Sequence, residues 1–140
     1  MNTMAFSYDA EENLASCIIS YNGMEFVGIA QCHPDDFDFA SERTGCTIAE
    51  LRAHIKMLRY RRDGEITPTL KTFKHMMDCM KTSKKFNPKS YEAKMIRNKI
   101  NQLEDELHEI KSDIKYFNNN LRTYINGKEE VYQKVRKART

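Results

Sequence analysis

The chain has 140 residues, with 23 Lys+Arg against 20 Asp+Glu, and its formal net charge of +3 is too mild to mark a nucleic-acid binder. At 40% hydrophobic and 10% aromatic it can build a core, yet 31% charged residues and a mean hydropathy of −0.72 demand much polar surface, a balance that fits long, thin elements. No apolar run approaches the roughly 18 residues of a membrane span, and the first ten residues lack the basic-then-apolar pattern of a signal peptide, so a cytoplasmic protein without a membrane partner is expected.

Met4-Ala5-Phe6-Ser7-Tyr8 reads as a first strand, followed by the polar turn Asp9 to Asn13. Residues Leu14 to Gln31 then give the clearest hairpin signal. Cys17 to Tyr21 and Met24 to Ala30 flank Asn22-Gly23, which supplies the two positive-φ positions of a type I′ turn. The expected product is a three-stranded meander within 1–34, and so small a sheet needs a helix or another subunit on one face. Gln31 to Cys46 reads as a connector in which Phe37 and Phe39 anchor the sheet to the helical region. Its acidic run, Asp35, Asp36 and Asp38, fits a helix cap and first turn better than a cation site.

A helical region is expected over 47–140. Ile48, Leu51, Ile55 and Leu58 alternate three- and four-residue steps, with Arg52, Lys56, Arg59, Arg61 and Arg62 on the polar sides. Asp63-Gly64 weakens this helix, and Thr67-Pro68 suits the N-cap and first turn of a second run carrying Leu70, Phe73, Met77 and Met80. Periodicity leaves open one bent helix or two. Lys81 to Lys89 is the next break, punctuated by Asn87-Pro88. Beyond it Ile96, Ile100, Leu103, Leu107, Ile110, Ile114, Phe117, Leu121 and Tyr124 step by four and three as a heptad seam. An unbroken helix from about Ser90 to Val135 would be roughly 70 Å long at 1.5 Å per residue. Either Asn118-Asn119-Asn120 or Asn126-Gly127 breaks it, or the seam packs on the preceding helices and on another chain. The expected fold is therefore a single α+β domain over 1–140, a small antiparallel meander followed by long helices in a hairpin or coiled-coil-like homodimer.

Among the polar positions, no phosphate-cradling glycine loop, H-E-x-x-H or nucleophile elbow appears, which argues against a nucleotide-hydrolysing enzyme. Cys17, Cys32, Cys46 and Cys79 form no C-x-x-C pair. Buried free thiols are expected of them, rather than a metal site from Cys17, Cys32, His33 and Cys46. Cys32 and His33, adjacent on a strand, would point to opposite faces and make a poor catalytic dyad. A surface suited to anions remains. Lys81, Lys84, Lys85 and Lys89 cluster around Phe86, Asn87 and Tyr91, and Lys94, Arg97 and Asn98 continue onto the last helix. Cations neutralise phosphates, aromatic rings stack on a purine and Asn reads a base edge or ribose hydroxyl. The bland alternative is a solvated loop with Phe86 tucked into the core. The basic stretch Lys134 to Arg139 fits either an acidic partner or an ordinary helix C-terminus.

The order Tyr21-Asn22-Gly23, Phe26, Gly28, Ala30, Cys32-His33-Pro34, Asp36, Asp38-Phe39, Ser41-Glu42, Gly45, Ile48-Ala49 and Arg52-Ala53, followed by Ser83-Lys84-Lys85-Phe86-Asn87-Pro88-Lys89-Ser90-Tyr91, is similar to small proteins of phages of Gram-positive bacteria. Over most of the chain the layout resembles the phage Thoeris anti-defence family, whose homodimers of N-terminal strands and long C-terminal helices sequester cyclic ADP-ribose immune signals. The resemblance implies a non-enzymatic sponge without a cofactor, a homo-oligomer that is either a dimer or a larger assembly of dimers. Its ligand would be held by aromatic stacking on adenine, with arginine and asparagine on phosphate and ribose, in recesses where subunits meet. By chemistry, the residues here that suit such a site are Lys84, Phe86, Asn87, Tyr91, Lys94, Arg97, Asn98, Asn101 and Arg122; none is carried over one by one from the family. Two other readings stand beside it: an inhibitor that docks on a host defence protein such as a nuclease, and a nucleic-acid-binding accessory protein, which the low net charge disfavours.

Overall fold

In the computed structural model, the backbone of residues 2–32 and 42–139 and the side chains of 2–32 and 42–126 are described. The expected anchors Phe37 and Phe39, the acidic run at 35–38, His33 and the side chains of the basic stretch at 134–139 lie outside that set.

The meander forms as its sequence dictates. Strands β1 (Thr3–Asp9), β2 (Leu14–Tyr21) and β3 (Met24–Gln31) pair antiparallel in the order β1-β2-β3. Asn22 (φ 49°) and Gly23 (φ 75°) take the left-handed conformations expected of the two-residue turn. In the first turn Asp9 Oδ1 accepts from the Glu11 and Glu12 amides (3.0 and 3.3 Å) and Tyr8 Oη donates to Asn13 Oδ1 (2.8 Å). The register places Phe6, Cys17 and Gly28 side by side across the three strands.

Among the described residues three α-helices follow the sheet, α1 (Glu42–Tyr60), α2 (Thr67–Lys81) and α3 (Tyr91–Arg139), and the fold is α+β. Helix α1 begins at Glu42, five residues before the change of period at Thr47, because its first turns carry no large apolar residue to announce them. Between α1 and α2 the expected N-cap at Thr67 does not occur. Residues Arg61–Ile66 are π-helical, Thr67 is itself helical, and its amide bonds to the Arg62 carbonyl five residues back. The proline explains the wider turn: Pro68 has no amide for the Gly64 carbonyl, and its ring would strike that carbonyl in a regular α-helix. The threonine hydroxyls help satisfy the segment's carbonyls, Thr69 donating to Glu65 (2.7 Å) and Thr72 to Pro68 (3.1 Å). Helix α3 runs on through Asn118-Asn119-Asn120 and Asn126-Gly127, so neither break occurs.

The chain divides into two compact units, residues 1–57 with 114–140 and residues 58–113. In the first, α1 lies on the sheet face formed by Ala15, Cys17, Ile19, Gly28 and Ala30, and the contact is made by the smallest residues available. Ala15, Cys17, Ala49 and Ala53 are fully buried, and Ile48 joins them, while Tyr8, Cys46, Met57, Leu121 and Ile125 pack around the cluster. Gly28 permits this approach: a β-carbon there would overlap the Ala49 carbonyl oxygen and come within 2.5 Å of the Ala53 nitrogen. Phe117 of the heptad seam stacks on His54 of α1, with ring centroids 5.2 Å apart and planes 8° from parallel.

The second unit buries Leu58, Ile66, Leu70, Met77, Ala93, Leu103 and Ile110. The end of α2 lies beside the start of α3, since Met80, Ser90 and Glu92 line one recess. Lys74 Nζ meets Glu104 Oε1 at 3.1 Å further along, so the two helices run side by side in opposite directions. The expected stripe of α2 holds, with Leu70 and Met77 buried and Phe73 and Met80 half-buried. Along α3, seam residues Leu103, Ile110 and Ile114 are buried and the rest half-buried, except Tyr124 at 37% exposure.

Candidate functional site

The connection between α2 and α3, residues 82–90, is a chain of small turns that the sequence builds from its own polar groups. The Ser83 amide returns to the Met80 carbonyl (3.1 Å), Phe86 to Ser83 (3.1 Å) and Ser90 to Asn87 (3.0 Å). Side chains complete the set: Thr82 Oγ1 donates to the Cys79 carbonyl (2.7 Å) and Ser83 Oγ accepts from the Lys85 amide (3.3 Å). Ser90 then caps α3, its Oγ accepting from the Ala93 amide (3.2 Å).

These turns hold open a recess of about 280 Å³ lined by Met80, Ser83, Lys85, Phe86, Asn87, Ser90 and Glu92. Of the residues selected by chemistry, Phe86 and Asn87 lie on its wall. Phe86 is half-buried and contributes to the lining. Asn87 Oδ1 already accepts from the Lys89 amide (2.9 Å), which leaves its amide group to read a ligand. Lys84, Lys94, Asn98 and Asn101 are exposed, and Tyr91 stands 72% exposed at the start of α3. Arg97 is exposed but tied back, its Nη2 donating to the Pro88 carbonyl (2.9 Å), so it braces the connection from the helix. Arg122 belongs to the other unit. Composition alone does not single out Lys85 as a wall residue, nor Glu92, whose carboxylate favours the helix N-terminus but repels a phosphate. A phosphate would be accommodated only on the lysine side.

A second recess, of about 560 Å³, opens in the first unit between Phe6 of β1 and Glu42, Arg43 and Cys46 of α1. Burial raises the Cys46 thiol above its ordinary range and the Glu42 carboxylate adds to the shift, so its thiolate is disfavoured. Cys17 is raised in the same way, first by burial and then by Glu50 and Cys46. The four cysteines are thiols and form no disulfide: Cys17 and Cys32 are buried and Cys46 is half-buried, whereas Cys79 is exposed, with its Sγ 3.5 Å from His75 Nε2. Among the described residues no group of three or more His, Cys, Asp or Glu side chains is placed to hold a metal ion. No described helix is long and apolar enough to cross a membrane.

Compared with protein-family models, curated proteins and solved structures, the chain matches none.

Proposed function

We propose that the protein binds and sequesters a small cyclic nucleotide of the cyclic ADP-ribose type without degrading it, as a phage anti-defence homodimer would. The observation that carries this reading is the recess beside the connection at 82–90, whose lining brings together an aromatic residue, Phe86, an amide residue, Asn87, and a lysine, Lys85. Stacking, a polar edge and a cation are the three elements of nucleotide recognition. At about 280 Å³ the recess is smaller than the roughly 300–1,000 Å³ of most small-molecule sites, so it takes one end of such a ligand. Exposed Tyr91, Lys94, Asn98 and Asn101 on the adjoining turns of α3 are available to the remainder. Function would then reside in affinity and stoichiometry, with a Kd well below micromolar.

The test is calorimetric titration of the protein with cyclic ADP-ribose isomers and cyclic oligonucleotides, followed by chromatography of ligand released on heating. Tight binding with unchanged ligand returned is the expected result. Altered ligand would show an enzyme, and silence across the panel would replace this reading with that of an inhibitor docking on a host defence protein. Steeply salt-dependent binding to arbitrary DNA would instead favour the nucleic-acid accessory reading.

A further inference from the structure

The sheet has two edges, and α1 attends to only one. Arg52 Nη1 donates to the Ile29 carbonyl (2.6 Å) and Lys56 Nζ to the Val27 carbonyl (2.7 Å), so the outer edge of β3 is capped by cations. Those bonds also fix the phase of the whole ladder. If Val27 and Ile29 turn their main-chain groups outward, Phe26, Gly28 and Ala30 turn theirs to β2, and Cys17 and Gly28 form a hydrogen-bonded pair. Ser16 and Ile18 of β2 then face β1, where the register sets them opposite Ser7 and Ala5. Met4, Phe6 and Tyr8 are left with amides and carbonyls directed away from the sheet. Among the described residues no strand pairs with that edge. From Thr3 to Tyr8 it carries neither a charge nor a proline, the devices that keep an edge from pairing, and Met4 and Phe6 are each 47% exposed.

We infer that β1 pairs antiparallel with β1 of a second copy, about a two-fold axis at Phe6. Phe6 then faces Phe6, and Met4 faces Tyr8 on either side. All three outward-facing residues of each strand are used, two bonds per opposed pair, and two three-stranded sheets become one of six. The partner is a copy of this chain because the strand is complementary to itself. At the ends Thr3 meets Asp9, a hydroxyl beside a carboxylate, and the two Asp9 residues lie at opposite ends of the ribbon. The recess beside Phe6 offers one carboxylate, Glu42, and one guanidinium, Arg43, so doubling it adds no net charge. The heptad seam is already engaged within the chain at Phe117 and Leu121. This contact gives the dimer of the proposed function an interface, and it stands or falls independently of any nucleotide.

The phase of the ladder supplies a selective test. Phe6→Pro removes an outward amide and leaves every β1–β2 bond in place, whereas Ala5→Pro removes one that β2 uses. By light scattering the full chain should have twice its 16.5 kDa, and Phe6→Pro and Phe6→Lys should run at the single-chain mass with unchanged circular dichroism. In a background with Cys46→Ser and Cys79→Ser, which removes the thiol lining the recess beside position 6 and the exposed one, Phe6→Cys should form an interchain disulfide on mild oxidation, since hydrogen-bonded partners sit about 5.5 Å apart at Cα, within disulfide range. Ala5→Cys, displaced from its own symmetry mate, should not. A single-chain mass for the unaltered protein, a dimer that survives both Phe6 variants, or no cross-link at position 6 would each overturn the inference, even if Phe6→Pro failed to fold. Nucleotide titration of a monomeric Phe6→Lys separates loss of assembly from failure of the sponge reading.

Discussion

Gly28→Ala adds a single methyl group at the point where α1 rests on the sheet. The new β-carbon would overlap the Ala49 carbonyl oxygen and lie 2.5 Å from the Ala53 nitrogen, both backbone atoms of one helix, so no side chain can rotate aside. Relief requires α1 to lift by about 1 Å, and a gap of that size forfeits a quarter to a half of each contact's dispersion well. The loss spreads over Ala15, Cys17, Ala30, Ile48, Ala49 and Ala53 together. Overpacking costs typically 1–3 kcal/mol, and a backbone-on-backbone clash belongs at or beyond the upper end. Replacing glycine in a strand returns about 0.5–1 kcal/mol of conformational entropy, leaving a net loss of about 2–3 kcal/mol. Gly45→Ala is the control. Its β-carbon would meet only the Ala15 methyl, at 3.1 Å, and it gains about 1 kcal/mol of helix propensity. Urea denaturation of the two variants should therefore separate them by at least 2 kcal/mol. Should Gly28→Ala fall within 1 kcal/mol of the parent, or Gly45→Ala cost as much, the close contact of α1 with β3 would be refuted.

Three further outcomes are expected. Phe86→Ala should weaken nucleotide binding by roughly 5- to 100-fold, the worth of one stacked base, with little change in thermal stability; a large loss of stability at unchanged affinity would return Phe86 to the core. Because the Cys17 thiol titrates above its ordinary range in the folded chain, its contribution to stability is complete below the unfolded thiol pKa and is lost as pH rises through the folded value. Stability measured from pH 7.5 to 10.5 should thus fall less steeply in Cys17→Ala than in the parent, and equal slopes would exclude Cys17 as a source. Ile110→Ala, deleting a residue 3% exposed in the second unit, should cost about 2–5 kcal/mol in urea denaturation, clearly more than Leu107→Ala at its half-buried position on the same seam.

Much of the fold was legible because large apolar residues announce their period. The Asn22-Gly23 turn, the stripe of α2 and the seam from Ile96 to Leu121 all lie where spacing places them. The illegible part is built from residues with almost no hydrophobic weight. Gly45, Ala49 and Ala53 make a stripe at four-residue intervals that meets the sheet, yet a search for leucine-like residues passes over them in favour of Ile48, Leu51, Ile55 and Leu58. Several residues that carry the family likeness, Gly28, Ala30, Gly45, Ile48, Ala49 and Ala53, fall on this contact, so they speak to packing before ligand chemistry. The candidate site was legible as a composition of lysine, aromatic and amide side chains around 82–91. Its internal arrangement was not, because Asn87 turning onto the Lys89 amide and Arg97 reaching back to Pro88 depend on the path of the connection. Arg52 and Lys56 read as ordinary polar-face cations until β3 is placed beneath them.

The π-helical segment sets the rotational phase of α2. In a regular α-helix, Leu58 and Ile66, eight residues apart, would lie about 80° off a common line at 100° per residue. Both are buried, because the wider turn between them takes up the difference. Closing Arg61–Ile66 into a regular α-helix at unchanged length would rotate all of α2 by about 80°, carrying Leu70 and Met77 off their stripe and Lys74 away from Glu104, whereas closing it with the loss of one residue would leave α2 within about 20° of its present phase. The winding of the segment therefore acts as a rotational setting: its loss at unchanged length would be felt fifteen residues downstream, whereas a change in the connection at 82–90 would be absorbed by turns.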